Sequence, residues 1–141
     1  MLYVSRYANK ELTTGKYTPV RISIGTPRWP LGYELAGAIK ELMPFGSKDI
    51  ADQDESRRVY HARLDKIGFE TIAKRLKAFE DMGKPVVLLC YEDIRKGPDN
   101  WCHRTFFAEW WLKQTGEKID ELPDPSGARQ MKKETLQLSL F

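Results

Sequence analysis

The chain has 141 residues, 41% of them hydrophobic, which is enough for one ordinary core and one domain. Its 23 basic and 20 acidic residues leave a net charge of +3 and a pI near 8.8, a balance that permits a nucleic-acid partner and excludes a histone-like polycation. No apolar run approaches the roughly 20 residues of a membrane span, no apolar signal core opens the chain, and two cysteines fit a reducing compartment; the expectation is a cytoplasmic protein without a membrane partner.

Leu2-Tyr3-Val4-Ser5 reads as a first strand ending at Arg6-Tyr7, followed by a polar loop from Ala8 to Thr18. Residues Pro19 to Gly25 alternate apolar and polar side chains, the pattern of a half-buried strand. The loop Thr26-Pro27-Arg28-Trp29-Pro30 then holds Arg28 just beyond the strand end. Leu35, Ala36, Ile39, Leu42 and Met43 fall at helical spacing and predict a short helix from Tyr33 to Met43, stopped by Pro44. Lys48 to Arg58 is charged and apolar-poor, so it reads as an exposed loop running into a helix around Val59, Tyr60 and Leu64. Phe69, Ile72, Ala73, Leu76 and Phe79 mark one face of a helix ended by Gly83.

The segment from Gly83 to Gly116 carries the chemistry. Val86-Val87-Leu88-Leu89-Cys90 is a short continuous apolar run, typical of a strand buried on both faces of a parallel sheet. A polar loop follows, then Cys102-His103-Arg104 opens an aromatic helix that stops at Gly116. Lys118 to Leu122 suits a last edge strand before Pro123 and Pro125. The fold class is therefore a small three-layer α/β domain, residues 1–123, with a mostly parallel central sheet flanked by helices; residues 124–141 form a tail.

In such sheets ligands bind beyond the carboxyl ends of the strands, which places Cys90, Glu92, Cys102, His103 and Arg104 around one crevice. Cys102 precedes a helix N-terminus beside His103 and Arg104, and each of these favours thiolate over thiol. It is the candidate nucleophile, with His103 as its proton partner. Cys90 is either a small core residue, a redox partner of Cys102, or a metal ligand with Cys102 and His103. Zinc sites ordinarily show paired ligand spacing, which is absent, so no metal and no other cofactor is expected. Glu92 is the candidate acid or base. Arg104, with Arg28 and Arg6 beyond their strand ends, forms a candidate anion clamp.

Leu88-Leu89-Cys90-Tyr91-Glu92, a loop, and Cys102-His103-Arg104 with Ala108-Glu109-Trp110 resemble the signature of the domain-of-unknown-function 488 family. The resemblance extends less specifically upstream through Tyr60, which joins the candidate ligand-binding residues. It implies a compact α/β domain with a site at these positions and no agreed activity. The loop from Asp93 to Trp101 is longer than that family's usual link.

The chain ends Gln137-Leu138-Ser139-Leu140-Phe141. This resembles the pentapeptide by which bacterial replication and repair proteins dock on the β sliding clamp: a glutamine at a groove rim, then leucine and phenylalanine in apolar pockets. Burying Leu140 and Phe141 would contribute ~3–5 kcal/mol before ordering costs, which suits an exchangeable tether. The competing arrangement is a terminal strand packed on the domain itself. The sequence thus points to a DNA- or nucleotide-associated protein brought to the clamp by its tail, or to a non-catalytic module holding a phosphate-bearing ligand.

Overall fold

The computed structural model describes residues 1–125. Among them lies a five-stranded, all-parallel sheet built from β1 (Leu2–Arg6), β2 (Thr18–Arg21), β3 (Gly37–Ala38), β4 (Val86–Cys90) and β5 (Asp120–Glu121), in the order β3-β2-β4-β1-β5. Three α-helices accompany it: α1 (Gln53–Ile67), α2 (Phe69–Glu80) and α3 (His103–Thr115). The chain is a small α/β domain, as its apolar pattern predicts.

β4 is the central strand, paired with β2 on one side and β1 on the other, and all five of its residues are buried. Its alternation separates two cores. Val86 and Leu88 pack with Leu2, Val4 and Val20 beneath α1, α2 and α3, while Val87 and Leu89 pack on the opposite face with Tyr7, Leu12 and Leu122. Each fully buried aliphatic side chain contributes roughly 1.5–3 kcal/mol, so this strand alone accounts for a large share of the driving force. The three helices all feed the first core. The second is covered by a 3-10 turn at Lys10–Thr14 and by partly buried Leu31, Tyr33 and Leu35.

Two readings of the sequence change. The stretch from Tyr33 to Met43 is not helical: it contains β3 and a 3-10 turn at Lys40–Leu42. Ala36 N donates to Pro19 O and Ile39 N to Arg21 O, so the backbone is taken up by the edge of β2. Leu35 packs on one side of the sheet and Ile39 and Leu42 on the other, which a strand permits and a one-faced helix does not. A Cβ at Gly37 would sit 2.9 Å from the Phe79 ring, so a larger residue here would require that ring to shift. The charged stretch before Val59 is helical from Gln53 onward. Asp52 caps it by accepting from Glu55 N at 2.8 Å, and Asp54 and Glu55 pair with Arg57 and Arg58 one turn on.

Candidate functional site

Because β4 sits between β2 and β1, Cys90 at its end stands on a ridge between two crevices. The first, a cavity of about 200 Å³, opens toward β2 and is lined by Ser23, Glu92, Trp101, Cys90, Cys102 and His103, with Lys48 at its rim. The second, about 180 Å³, lies toward β1 and β5 and holds Arg6, Asp93, Arg95, Arg104, Glu121 and Asp124. The sequence reading put the cysteines, His103 and the three arginines around one crevice; the sheet order divides them.

Cys90 and Cys102 are joined, Sγ to Sγ at 2.08 Å, with Cα atoms 7.5 Å apart. The loop between β4 and α3 therefore turns back so that the position preceding α3 meets the strand end. His103, the first residue of α3, donates from Nε2 to the Ile22 carbonyl at 2.7 Å. That carbonyl can only accept, so the imidazole proton lies on Nε2, and the Nδ1 lone pair faces Cys102 Sγ at 3.6 Å. Burial pushes the His103 pKa down to about 4, helped by the nearby charges of Arg104 and Arg63 and opposed by the Ile22 hydrogen bond. The ring is neutral near pH 7.

Arg104 is 1% exposed. Nη1 donates to Cys90 Sγ at 3.0 Å, and Nε and Nη2 hold the Glu121 carboxylate at 2.7 and 2.6 Å. It is thus not available as an anion clamp: its charge is neutralised by Glu121 and its free edge is turned to sulfur. Arg6 is likewise engaged, at 2.6 Å from Asp124 and 3.8 Å from Asp93. Arg28 is exposed on its loop and lines neither crevice. Tyr60 is fully buried and donates its hydroxyl to Leu42 O at 2.7 Å, while its ring packs edge-on against His103 at 5.5 Å. Burial holds its pKa far above the usual tyrosine value. Tyr60 is a wall behind the site rather than a ligand contact. Glu92 is exposed and lines the cysteine crevice, as expected from its position two residues past Cys90.

Several residues escaped sequence reasoning. Asp93, Arg95 and Asp124 complete an ion-pair network with Arg6, and Arg95 bridges both carboxylates at 2.9 and 3.1 Å. The Arg95 hydrogen bond, together with Arg6, holds the Asp93 carboxyl down at about 2 against the opposing effect of burial. Only the Asp-x-Arg spacing hinted at this, and nothing linked Arg6 to Asp124, which the sequence reading assigned to the tail. Ser23, half of a buried 2.5 Å hydrogen bond with the Tyr7 hydroxyl, was hidden in the strand alternation.

Cys90, Cys102 and His103 bring three ligand-type atoms within 4.8 Å of one another. Paired spacing in sequence does not reveal such a group, because one member arrives from a strand and two from a helix start. The pentapeptide Gln137–Phe141 lies outside the described residues. Among the described residues, no helix is long and apolar enough to cross a membrane. No protein-family model matches the chain, and no curated protein or solved structure matches it either.

Proposed function

We propose that this domain works by cysteine thiol–disulfide chemistry in the crevice beside β4, and that its tail brings that chemistry to the bacterial sliding clamp. The observation that carries the first half is the pairing of Cys90 and Cys102 between a lone-pair-bearing imidazole and a buried guanidinium. In the dithiol form His103 Nδ1 is placed to accept a hydrogen bond from the Cys102 thiol, and the thiolate left when that thiol loses its proton to solvent lies at the start of α3, where the helix amides favour it. Attack on a substrate disulfide forms a mixed disulfide at Cys102 and expels one substrate thiolate, which takes up a proton. Cys90, whose thiolate Arg104 stabilises, then attacks Cys102 Sγ; the mixed disulfide breaks, the second substrate thiol leaves, and the protein disulfide closes. Two electrons pass from protein to substrate.

The same residues carry the resemblance to the domain-of-unknown-function 488 family, which names no reaction; no family model matches the chain, so the choice rests on their geometry. The reading of the crevice as a phosphate-binding module loses support, since Arg104 and Arg6 are matched by carboxylates. Nucleic acid or nucleotide enters this proposal only as what the clamp would bring close, and the clamp tether rests on the sequence of residues 137–141.

The reduced protein should be treated with an alkylating agent between pH 6 and 8 and mapped by mass spectrometry. Cys102 is expected to react faster than an unperturbed thiol, and two inert cysteines would end the thiol proposal. Binding of purified β clamp should be lost on deleting residues 137–141; equal binding by both forms, or none by either, would end the tether.

A further inference from the structure

We infer that the reduced protein binds one soft divalent metal ion of the zinc class through Cys90 Sγ, Cys102 Sγ and His103 Nδ1, with a fourth coordination position open to the crevice. The inference rests on the reading above only in requiring that the disulfide can be opened. Three features of the geometry carry it.

The donor atoms are already gathered, all within 4.8 Å. Metal–sulfur bonds of about 2.3 Å and metal–nitrogen bonds of about 2.0–2.1 Å put tetrahedral ligand atoms ~3.3–3.8 Å apart, so small side-chain rotations suffice. The Cα atoms of Cys90 and Cys102 stand 7.5 Å apart, wider than the ~4.4–6.8 Å usual across a disulfide. That spacing leaves room for the two sulfurs to part around an ion.

The ligands are also oriented from behind. His103 gives its Nε2 proton to the Ile22 carbonyl, which fixes the tautomer that leaves Nδ1 free to coordinate. Arg104 donates to Cys90 Sγ, the contact expected to support a metal-bound thiolate, and Glu121 anchors the guanidinium.

The third feature is access. All three ligand residues line the same cavity of about 200 Å³, so an ion held by them would face that space with one position unfilled by cysteine or histidine. Two sulfurs and one nitrogen with an open position is a donor set known for catalytic zinc, and thiolate ligands select against magnesium, calcium and manganese.

The exchange balances simply. A dithiol reductant gives two electrons and two protons to the Cys90–Cys102 bond and becomes a disulfide itself. Both cysteines then lose a proton as the ion binds. Oxidation reverses this and expels the ion, so metal occupancy reports the redox state of the pair.

The test uses the full chain, reduced with a phosphine that does not chelate, desalted without oxygen, and titrated with cadmium and zinc. One cadmium ion per chain should produce the ultraviolet thiolate-to-metal charge-transfer band, zinc should displace it, and magnesium should not. His103→Ala should weaken binding at least about tenfold. Oxidised protein should bind none. Zinc should protect both cysteines of the unmutated protein from alkylation and a chelator should restore their reactivity, a measurement that needs no variant to fold. Thiols that alkylate equally with and without zinc would overturn the metal site and leave the thiol proposal standing, whereas thiols inert even after chelation would overturn both. A cadmium affinity unchanged in His103→Ala would overturn the three-ligand site.

Discussion

Arg104 donates from Nη1 to Cys90 Sγ at 3.0 Å, although it belongs to the first turn of α3 and Cys90 ends β4. A guanidinium 1% exposed is held there by Glu121, whose side chain is 34% exposed. Replacing Arg104 with Met keeps most of the buried volume and lets Glu121 turn to water, so the loss should fall near the lower end of the range for broken buried pairs, about 2–3 kcal/mol. Urea denaturation at neutral pH should show the midpoint fall with little change in slope. Alkylation of Cys90 in the reduced protein should slow as well. Arg104→Lys should recover part of each effect, because one ammonium cannot reach sulfur and both carboxylate oxygens with the fork geometry of arginine.

The second crevice predicts how stability responds to acid. Asp93 is held at about 2, below the ordinary 3.8, chiefly by its hydrogen bonds to Arg95. A carboxyl depressed in the folded state stabilises the fold fully above its unfolded value and loses that contribution as pH falls through its folded one. The window is therefore about pH 4 down to about pH 2. Asp93→Asn should cost about 1–2 kcal/mol at pH 7, and the gap to the unmutated protein should narrow across that window. Thermal unfolding followed at several pH values checks it. A gap that stays constant down to pH 2 would mean the ion pairs contribute nothing.

Tyr60→Phe isolates a buried hydroxyl. The hydrogen bond to Leu42 O joins α1 to the 3-10 turn at Lys40–Leu42, and its removal leaves a buried carbonyl without that donor. A cost of about 1–2 kcal/mol is expected. The Phe ring preserves the edge-on contact with His103. Thiol reactivity and metal affinity should both stay within about twofold, which separates a wall residue from a ligand-binding one.

What the sequence disclosed followed from local physics. The run Val86–Cys90 is apolar enough to be a strand buried on both faces, and Gly116, at φ 77°, ends α3 where a left-handed residue is wanted. The stretch from Tyr33 to Met43 misled because its apolar residues divide between two cores, and their spacing imitates a helix when the strand order is unknown. Cys90, Cys102 and His103 could be named as chemically capable. Their union depended on the path of the twelve-residue loop between β4 and α3, residues 91 to 102. The arginines failed as a group for a related reason. A strand end predicts where Arg6 stands and a helix start where Arg104 stands, but the carboxylates that engage them come from Asp124 and Glu121 in distant sequence.

Glu92 and Lys48 offer a test of the cysteine crevice that needs no knowledge of its ligand. Both are exposed and both line it, one acidic and one basic. Opening the Cys90–Cys102 bond with dithiothreitol requires an anionic thiolate to enter between them. Glu92 raises the energy of that approach and Lys48 lowers it. At water-like dielectric and separations of ~8 Å, one unit charge changes such a rate ~2–3-fold. Glu92→Gln should therefore accelerate reduction and Lys48→Gln should slow it, with both differences shrinking in molar salt, where screening acts within about 3 Å. Neither surface substitution should move stability by more than about 0.5 kcal/mol. If Glu92→Gln instead slows reduction at every salt concentration, the carboxyl group is carrying a proton in the exchange, which is the acid–base role its position two residues after Cys90 first suggested.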